Sequence, residues 1–292
     1  MVTYSNVIDS NNVRVIDELG GFKVIEHQKD LSSYPERAVN EFFSAKMNVK
    51  KRQVLIELNN NSYVVQAGAM QWTSGNINAN SGVNGVGSFF GKMVSSAVTG
   101  ESAVKPEYTG TGSLMLEPTY RHIILLDVSK WGSVVLDDGL FLACDNTLKR
   151  NVVARGNVSS AVLGGEGLFN LSLSGEGIVA LESYVPLDEL IEIELNNDVL
   201  KIDGNMAVAW SGSLQFTVEK SGKSLVGSAV SGEGLVNVYR GTGKVLMAPV
   251  DKGSFENAIA ATTATTTNNS SSNVDKVSST VDTISNILDI LS

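Results

Sequence analysis

A short phrase of similar sequence occurs three times along the chain. It reads GTGSLMLEP from Gly110, SGEGIVALE from Ser174 and GTGKVLMAP from Gly241. In each copy a Gly-x-Gly motif precedes alternating apolar residues, and this period-two alternation predicts a strand with one buried face. The motifs recur about every 65 residues. A period of that length indicates a repeated structural unit.

Two further elements recur in the same order. One reads IELNNNSYVV from Ile56, VLDDGLFLACD from Val135 and IELNNDVLKI from Ile193. Because Asn and Asp-Gly tolerate the positive φ of tight turns, we expect a β-hairpin at each polar centre. The other element reads GGEGLFN from Gly164 and SGEGLVN from Ser231. Three recurring elements predict three tandem β-units, over residues 50–118, 119–184 and 185–250.

The predicted fold is mainly β, with the three pseudo-repeated units arranged around a pseudo-three-fold axis so that they cover one another's strand edges. Each Gly-x-Gly leads into a strand rather than a helix, so the motifs predict turns or bulges and not phosphate loops. The glycines assigned to these structural motifs are Gly110, Gly112, Gly165, Gly167, Gly175, Gly177, Gly232, Gly234, Gly241 and Gly243.

The two ends differ from the repeats. Residues 1–49 form an N-terminal extension with a helix expected near 34–47, where Ser33 and Glu36 fit a capping box. Residues 251–273 are a polar linker, and 274–292 carry an amphipathic heptad pattern that predicts a C-terminal helix. This tail could form a coiled coil with the tails of other subunits, dock on the β-units, or stay disordered. Its seam, the candidate oligomerisation surface, is Val274, Val277, Val281, Ile284, Leu288 and Leu291.

Several motifs together resemble one known family. They include AGAMQWTSGNI from Ala67, YTGTGSLMLEP from Tyr108 and GGEGLFNLSLSGEG from Gly164. Over residues 46–250 the chain resembles the altered inheritance of mitochondria protein 24 family. The resemblance implies β-sandwich units like those of the tryptophan RNA-binding attenuation protein, related to the double-stranded β-helix, and assembly into oligomers. Mitochondrial members are linked to inner-membrane architecture, and the family offers no catalytic residue to carry over.

Composition narrows the function. The net charge of −9 disfavours nucleic acid as a partner. A single cysteine, Cys144, excludes an intrachain disulfide and fits a reducing compartment. With no signal peptide and no apolar run long enough to span a bilayer, we expect a cytoplasmic protein. Peripheral membrane contact stays open.

The sequence lacks a catalytic or metal-binding constellation. Its two histidines, His27 and His122, are not close in sequence, and Cys144 follows an apolar run typical of a buried strand. We therefore expect no catalytic residue, no metal site and no cofactor. The run from Lys50 to Arg52 is interpreted as charge at a helix C-terminus rather than a nucleic-acid patch.

Two residue types remain as weaker candidates. Glutamates of the Gly-Glu-Gly motifs could gather round an axis to bind a cation, but exposed turn residues are the preferred interpretation. Tryptophans could stack on a base or sugar, but a core role is preferred for Trp72 and Trp210. These residues are Glu166, Glu176, Glu233, Trp72, Trp131 and Trp210.

The sequence thus predicts a non-enzymatic assembly protein, an oligomeric β scaffold that associates with copies of itself and with an unidentified protein partner. The alternative is a ligand-binding module for RNA or a small molecule. An unrecognised enzyme is the third hypothesis, and it would need a deep pocket with perturbed carboxylates.

Overall fold

Where the structure describes it, the chain folds mainly into β-strands. The computed structural model describes residues 3–80, 105–154, 169–220 and 235–251. It contains two antiparallel curled sheets, one a nearly closed barrel and the other a half-barrel, together with one short helix. The mainly β prediction is confirmed at this level.

The described strands and helix follow one another along the chain with mostly short connections. They are β1 (Val13–Leu19), β2 (Phe22–His27), α1 (Ala38–Lys46), β3 (Arg52–Val65), β4 (Met70–Asn80), β5 (Glu107–Leu116), β6 (His122–Asp127), β7 (Ser133–Leu136), β8 (Phe141–Asp145), β9 (Lys149–Ala154), β10 (Phe169–Ser174), β11 (Ile178–Ser183), β12 (Ile191–Asp203), β13 (Ala207–Ser211), β14 (Gln215–Lys220) and β15 (Leu235–Met247). Short 3-10 helices cover Val128–Trp131 and Leu187–Glu189.

Sheet A contains eight described strands and curls into the nearly closed barrel. Its path runs β1-β2-β3-β8-β11-β6, while β5 pairs with β3 and β4 pairs with β5. The long strand β3 pairs with β2 at its start, with β5 along most of its length and with β8 at its end. Strands β1 and β6, at the two ends of the path, contact each other.

Sheet B contains seven described strands and forms the half-barrel. Its path runs β12-β15-β13-β7-β10-β9, and β14 also pairs with β15. Strand β12 pairs with β15 over nearly its whole length, from Ile191 opposite Met247 to Asp203 opposite Val236.

The strands of the three predicted units pair in a common order. In the first unit β5 lies between β3 and β4. In the second, β11 lies between β6 and β8, and β10 lies between β7 and β9. In the third, β15 lies between β12 and the pair β13 and β14.

The apolar phrase that follows each Gly-x-Gly is buried on both faces, not on one face as the alternation predicted. Leu114, Met115 and Leu116 are all buried, and so are Val179 and Leu181. The reason is that each phrase lies between two cores. Leu114 belongs to the core inside sheet A, whereas Met115 packs in a smaller cluster on the opposite face.

The predicted hairpins are wrong. Asn59, Asn60 and Asn61 lie inside the continuous strand β3, and Asn196 to Asp198 lie inside β12. Asp137 and Asp138 connect β7 to β8, and these two strands belong to different sheets. The positive φ expected from the Asn residues is present at Asn60 and Asn197, but it produces a bulge rather than a chain reversal.

Helix α1 is shorter than predicted and begins without the expected cap. It starts at Ala38, and the capping position Arg37 makes no side-chain hydrogen bond to the helix. The Ser33 hydroxyl donates instead to the Tyr34 carbonyl oxygen. No residue of α1 is buried, although the sequence places apolar side chains in every turn.

Candidate functional site

A concave surface of the described chain lies between α1 and sheet A. Two adjoining cavities there have volumes of about 420 and 510 Å³. Their walls come from α1, from the segment that follows β2 and from the segment that precedes β3. We call this surface the helix groove, and the residues common to both cavities are Gln28, Lys29, Asp30, Glu41, Ala45 and Lys50.

A buried ion-pair network forms the inner end of the helix groove. Arg52 is almost fully buried, and its Nε and Nη2 atoms donate to Glu26 Oε2 at 3.1 and 2.8 Å. Lys50 Nζ donates to Glu26 Oε1 at 2.8 Å. Burial acts to raise the pKa of Glu26, but the bonds from Lys50 and Arg52 outweigh it and hold that pKa below its ordinary value.

The same network fixes the end of α1. Arg52 Nη2 also donates to Asn48 Oδ1 at 2.7 Å and to the Asn48 carbonyl oxygen. Asn48 has a φ of 64°, in the left-handed region just after the helix. The hydrogen bond from Arg52 to the Asn48 side chain holds it in that conformation. The buried guanidinium therefore positions α1 over sheet A.

A second, more exposed cluster lies at the outer wall of the groove. The Tyr120 hydroxyl donates to Asp30 Oδ2 at 3.0 Å, and Lys51 Nζ lies 3.2 Å from the same oxygen. Burial tends to raise the pKa of Asp30, but these two contacts lower it below its ordinary value. Burial and the Asp30 carboxylate together raise the pKa of the Tyr120 hydroxyl.

Glu41 brings an unsatisfied carboxylate oxygen into the groove. It lies on the side of α1 that faces sheet A, and its Oε2 atom is buried without a hydrogen-bond partner among the described residues. A buried carboxylate oxygen without a donor costs free energy. A ligand that carries an N–H or O–H group would satisfy it.

The two histidines lie in different surroundings. His27 Nε2 lies 3.0 Å from Gln53 Oε1. His122 is half-buried near Arg52, and burial together with the guanidinium charge lowers the pKa of its imidazole to about 4. The His122 imidazole is therefore neutral at physiological pH.

Cys144 is buried in β8, as predicted. Burial raises the pKa of its thiol to about 12, so the thiolate that nucleophilic chemistry needs is not formed near neutral pH. In the described part of the chain, no group of three or more His, Cys, Asp or Glu residues is arranged to hold a metal ion.

The Gly-x-Gly motifs lie where the strands change register. Gly110 and Gly112 are in β5 opposite the Asn60 bulge, with φ of 143° and 150°. Gly241 lies opposite the Asn197 bulge in β15, and Gly175 and Gly177 connect β10 to β11. Six motif glycines thus occupy turns or bulges, the sixth being Gly243 in β15. The other four fall outside the described residues: Gly165, Gly167, Gly232 and Gly234.

The glutamate and tryptophan candidates that the structure describes lie in separate parts of the fold. Glu176 is an exposed turn residue, whereas Glu166 and Glu233 lie outside the described residues. Trp210 is buried against Phe216 and Tyr239, which confirms its core role. Trp72 packs at the edge of a small cluster beside Tyr4.

The run from Lys50 to Arg52 is not a free basic patch. All three side chains pair with carboxylates, Lys50 and Arg52 with Glu26, and Lys51 with Asp30. Sequence reasoning missed this network. The signal was Glu26 itself, a charged residue within the apolar strand sequence FKVIEH, which requires a buried partner.

The predicted tail lies outside the described residues, so the structure says nothing about the six seam residues from Val274 to Leu291. Within the described residues, no helix is long and apolar enough to cross a bilayer.

The comparisons with known proteins agree with the resemblance seen in the motifs. The family model described as Mitochondrial biogenesis AIM24 matches residues 44–250. The uncharacterized protein M6_Spy0233 of Streptococcus pyogenes serotype M6 is 32% identical over 192 residues, which are 63% of this chain and 75% of that protein. The crystal structure of protein SPYM3_0169 from Streptococcus pyogenes has a TM-score of 0.55 and 27% identity, over 73% of this chain and 94% of that one. The family match begins within α1, so β1 and β2 precede it.

Proposed function

The chain belongs to the AIM24 family, and from this premise we propose that it is a non-enzymatic assembly protein that acts as an oligomeric β scaffold. The observation that carries the proposal is the open edge of sheet B. Strand β12 is 13 residues long and, among the described residues, pairs with β15 alone. An edge of that length presents a row of backbone donors and acceptors to a further strand.

The side chains along this edge support the same conclusion. Ile191 is 43% exposed and Val199 is 48% exposed, both on β12. In sheet A the terminal strands β1 and β6 approach each other and nearly close the barrel. Strand β4 of sheet A also pairs on one side only among the described residues, but it is shorter than β12. The half-barrel of sheet B is therefore the surface on which we propose that a second copy adds strands.

The common strand-pairing order supports the finer architecture that we propose. In each predicted unit, the strand that contains or directly follows the Gly-x-Gly motif is paired on both of its sides. We propose that three tandem β-sandwich units, over residues 50–118, 119–184 and 185–250, arose by triplication and surround a pseudo-three-fold axis. The described edges of sheet B would then be where the pseudo-symmetric body meets other bodies.

The state of the reactive side chains supports a role without catalysis. The Cys144 thiol is buried with a pKa raised to about 12, and His122 is neutral at physiological pH. The Glu26 carboxylate is occupied by Arg52 and Lys50, and this network fixes α1. The single buried cysteine fits the cytoplasmic location predicted from the sequence, which stays a prediction.

Sedimentation velocity across micromolar concentrations tests this proposal. We expect the protein to sediment as an oligomer, and the double variant Ile191→Lys, Val199→Lys to shift it toward a monomer, because lysines on an edge oppose strand addition. The matched control is Val15→Lys, Ile16→Lys on β1, which has equally exposed residues in sheet A. A monomer at all concentrations, or equal effects of both variants, would reject the β12 edge as the assembly surface.

The helix groove supports the alternative function of a ligand-binding module. The unpartnered Glu41 Oε2 atom favours a small organic cation that carries N–H groups over RNA, whose phosphates the acidic chain repels. We expect a panel of alkylammonium compounds to raise the melting temperature of the native protein but not of Glu41→Leu. A panel without effect, or an equal shift in both proteins, would remove this alternative, and RNA retained on a filter at low salt would replace it.

A further inference from the structure

Helix α1 presents its apolar side to solvent and its polar side to the sheet. Val39, Phe42, Phe43 and Met47 recur at the spacing of one helix face, and all four are exposed. We call these four residues the apolar α1 face. Glu41 and Ser44, on the opposite side, line the helix groove against sheet A, and Phe42 lies at the border because it also lines the second cavity of that groove.

This orientation is opposite to that of an ordinary surface helix, which buries its apolar face. Phe43 is 61% exposed and Met47 is 76% exposed, so the contiguous apolar surface is left to water. The helix cannot simply roll to bury it, because the Arg52 guanidinium holds Asn48 at the end of α1. A rigidly held apolar patch of this kind marks an interaction surface.

The chain itself carries a segment of matching chemistry. Residues 274–292 have an apolar seam at heptad spacing. Among the described residues α1 is the one α-helix, and its apolar face is exposed. Asp275, Asp282 and Asp289 recur along one flank of that seam, with Lys276 as the single basic residue. The exposed side chains of Lys29 and Arg37 line the helix groove, which Phe42 also borders, and they complement this acidic flank.

The last described residues lie at the same end of sheet A as α1. The Tyr184 hydroxyl donates to the Val250 carbonyl oxygen at 3.3 Å. Tyr184 follows Ser183, which pairs with His122 at the start of β6. Two residues before His122, the side chain of Tyr120 forms part of the wall of the helix groove.

The linker is long enough to reach the helix. Residues 252–273 separate the last described residue from the start of the heptad segment. A random coil of that length would span about 25 Å on average, and a fully extended chain would span about 70 Å. Tethering also gives the segment a high effective concentration at α1.

We propose that the heptad segment, residues 274–292, docks as an amphipathic helix on the apolar α1 face of its own chain. Both partners lie mainly outside the 44–250 family match, so the interaction is an addition that this chain makes to the family domain. It does not depend on the β12 edge. A protein that is monomeric but has a protected α1 would reject the scaffold proposal and support this one.

Thiol labelling of the full-length chain tests the docking. A cysteine replaces Lys46, which lies among the residues of the apolar α1 face without belonging to it, and its alkylation rate is measured. A reference cysteine replaces Lys130, an exposed lysine beyond the opposite end of β6. The native Cys144 is buried and does not contribute in the folded protein.

Two tail variants provide the contrast. Ile284→Asp with Leu288→Asp disrupts the seam, whereas Thr283→Asp with Asn286→Asp adds the same charge at positions outside it. We expect the seam variant to speed alkylation of Lys46→Cys about tenfold, which corresponds to a segment docked about nine-tenths of the time. The control variant should leave that rate unchanged, and Lys130→Cys should react equally in every background.

If something other than the heptad segment covered the apolar α1 face, the labelling would give different results. Protection that grows with protein concentration would mean that a second copy covers α1, and protection that requires phosphatidylglycerol vesicles would mean a membrane surface. Either result overturns the proposal, and so does an unchanged rate in the seam variant. As a second measurement, a bismaleimide should link Lys46→Cys to Ser285→Cys within one chain, and cross-linking only between chains would also overturn it.

Discussion

The backbone N–H of Asn60 donates a hydrogen bond to the Thr111 hydroxyl oxygen at 3.1 Å, across β3 and β5. Asn197 makes the same bond to Thr242 at 2.9 Å, across β12 and β15. Each asparagine has a positive φ, 55° and 52°, at a shift in strand register. Each threonine is the middle residue of a Gly-Thr-Gly motif. The motif therefore supplies an acceptor for the bulge that faces it.

Replacing either threonine by valine should weaken the bulge. Thr111→Val leaves the Asn60 N–H to water, and because the site is exposed we expect the free energy of unfolding to fall by about 0.5–1 kcal/mol. Thr242→Val should have a similar and additive effect, because the two bulges share no contact. Urea unfolding measures both, with Thr111→Ser as the hydroxyl-preserving control. If serine and valine destabilise equally, the hydroxyl is not the stabilising group.

Gly110 and Gly112 of the first motif should be far less replaceable than a turn glycine, because a Cβ at either position would overlap a backbone oxygen of β4. A Cβ at Gly112 would overlap the Ser74 carbonyl oxygen of the neighbouring strand β4. We expect Gly112→Ala to lower the free energy of unfolding by about 3 kcal/mol or more. Gly68→Ala is the control, since Gly68 has a φ of 81° but nothing within 4 Å of the added methyl group. Gly68→Ala should lower the free energy of unfolding by only about 1 kcal/mol, through backbone strain. Equal losses in the two variants would show that backbone strain, and not the overlap with Ser74, destabilises Gly112→Ala.

The buried pair of Arg52 and Glu26 should contribute more to stability than an exposed pair of the same sheet. Arg52→Met leaves a buried carboxylate with one cation fewer and should cost about 3–5 kcal/mol in the free energy of unfolding. Lys23→Met removes the cation that lies 2.9 Å from Glu57 at the surface and should cost less than about 1 kcal/mol. Chemical denaturation compares the two variants. Similar losses in both would contradict the anchoring role that we give to Arg52.

Stability should decrease on mild acidification because of His122. Its pKa is about 4 in the folded protein, against an ordinary value of 6.5. Between these values the unfolded chain binds a proton that the folded chain does not, so the free energy of unfolding rises with pH and falls as pH decreases through this window. From about pH 7.5 to about pH 5 we expect a loss of about 1–2 kcal/mol that is absent in His122→Phe.

Glu26 sets the lowest pH at which the contribution of His122 to stability can be measured separately. Its pKa is lowered in the folded state, so the stability from its ion pairs is present above the ordinary carboxyl pKa and is lost as pH falls through the folded value. Measurements above about pH 5 therefore separate the imidazole from the carboxylate. An identical pH dependence in the native protein and in His122→Phe would contradict the assignment to His122.

The sequence predicted the strands better than it predicted how they connect. The apolar phrases after Gly110, Gly175 and Gly241 are strands, and the glycines before them lie at bulges or turns. The Asn-rich centres were mistaken for hairpin turns because a positive φ at Asn60 fits a turn and a bulge equally well. What distinguishes the two is pairing with β5, which begins at Glu107, far along the chain.

The helix groove was beyond local sequence reasoning for a related reason. The Ser33 and Glu36 pattern indicated a helix, and α1 forms close to the predicted place. Which side of α1 would face sheet A depends on the bond from Arg52 to Asn48 and on the partner that Glu26 finds in β3. Periodicity alone favours burying Phe42, whereas this tertiary network leaves it exposed.

The N-terminal hairpin shows that a boundary drawn by similarity need not be a boundary of cooperative folding. Family similarity begins at residue 44, yet Phe22 and Val24 of β2 are fully buried in the core of sheet A. A protein that started at residue 44 would lose these side chains. The beginning of β3 would then have an unpaired edge, and the protein would be prone to self-association. The segment that relatives share and the segment that folds as one unit therefore begin at different residues of this chain.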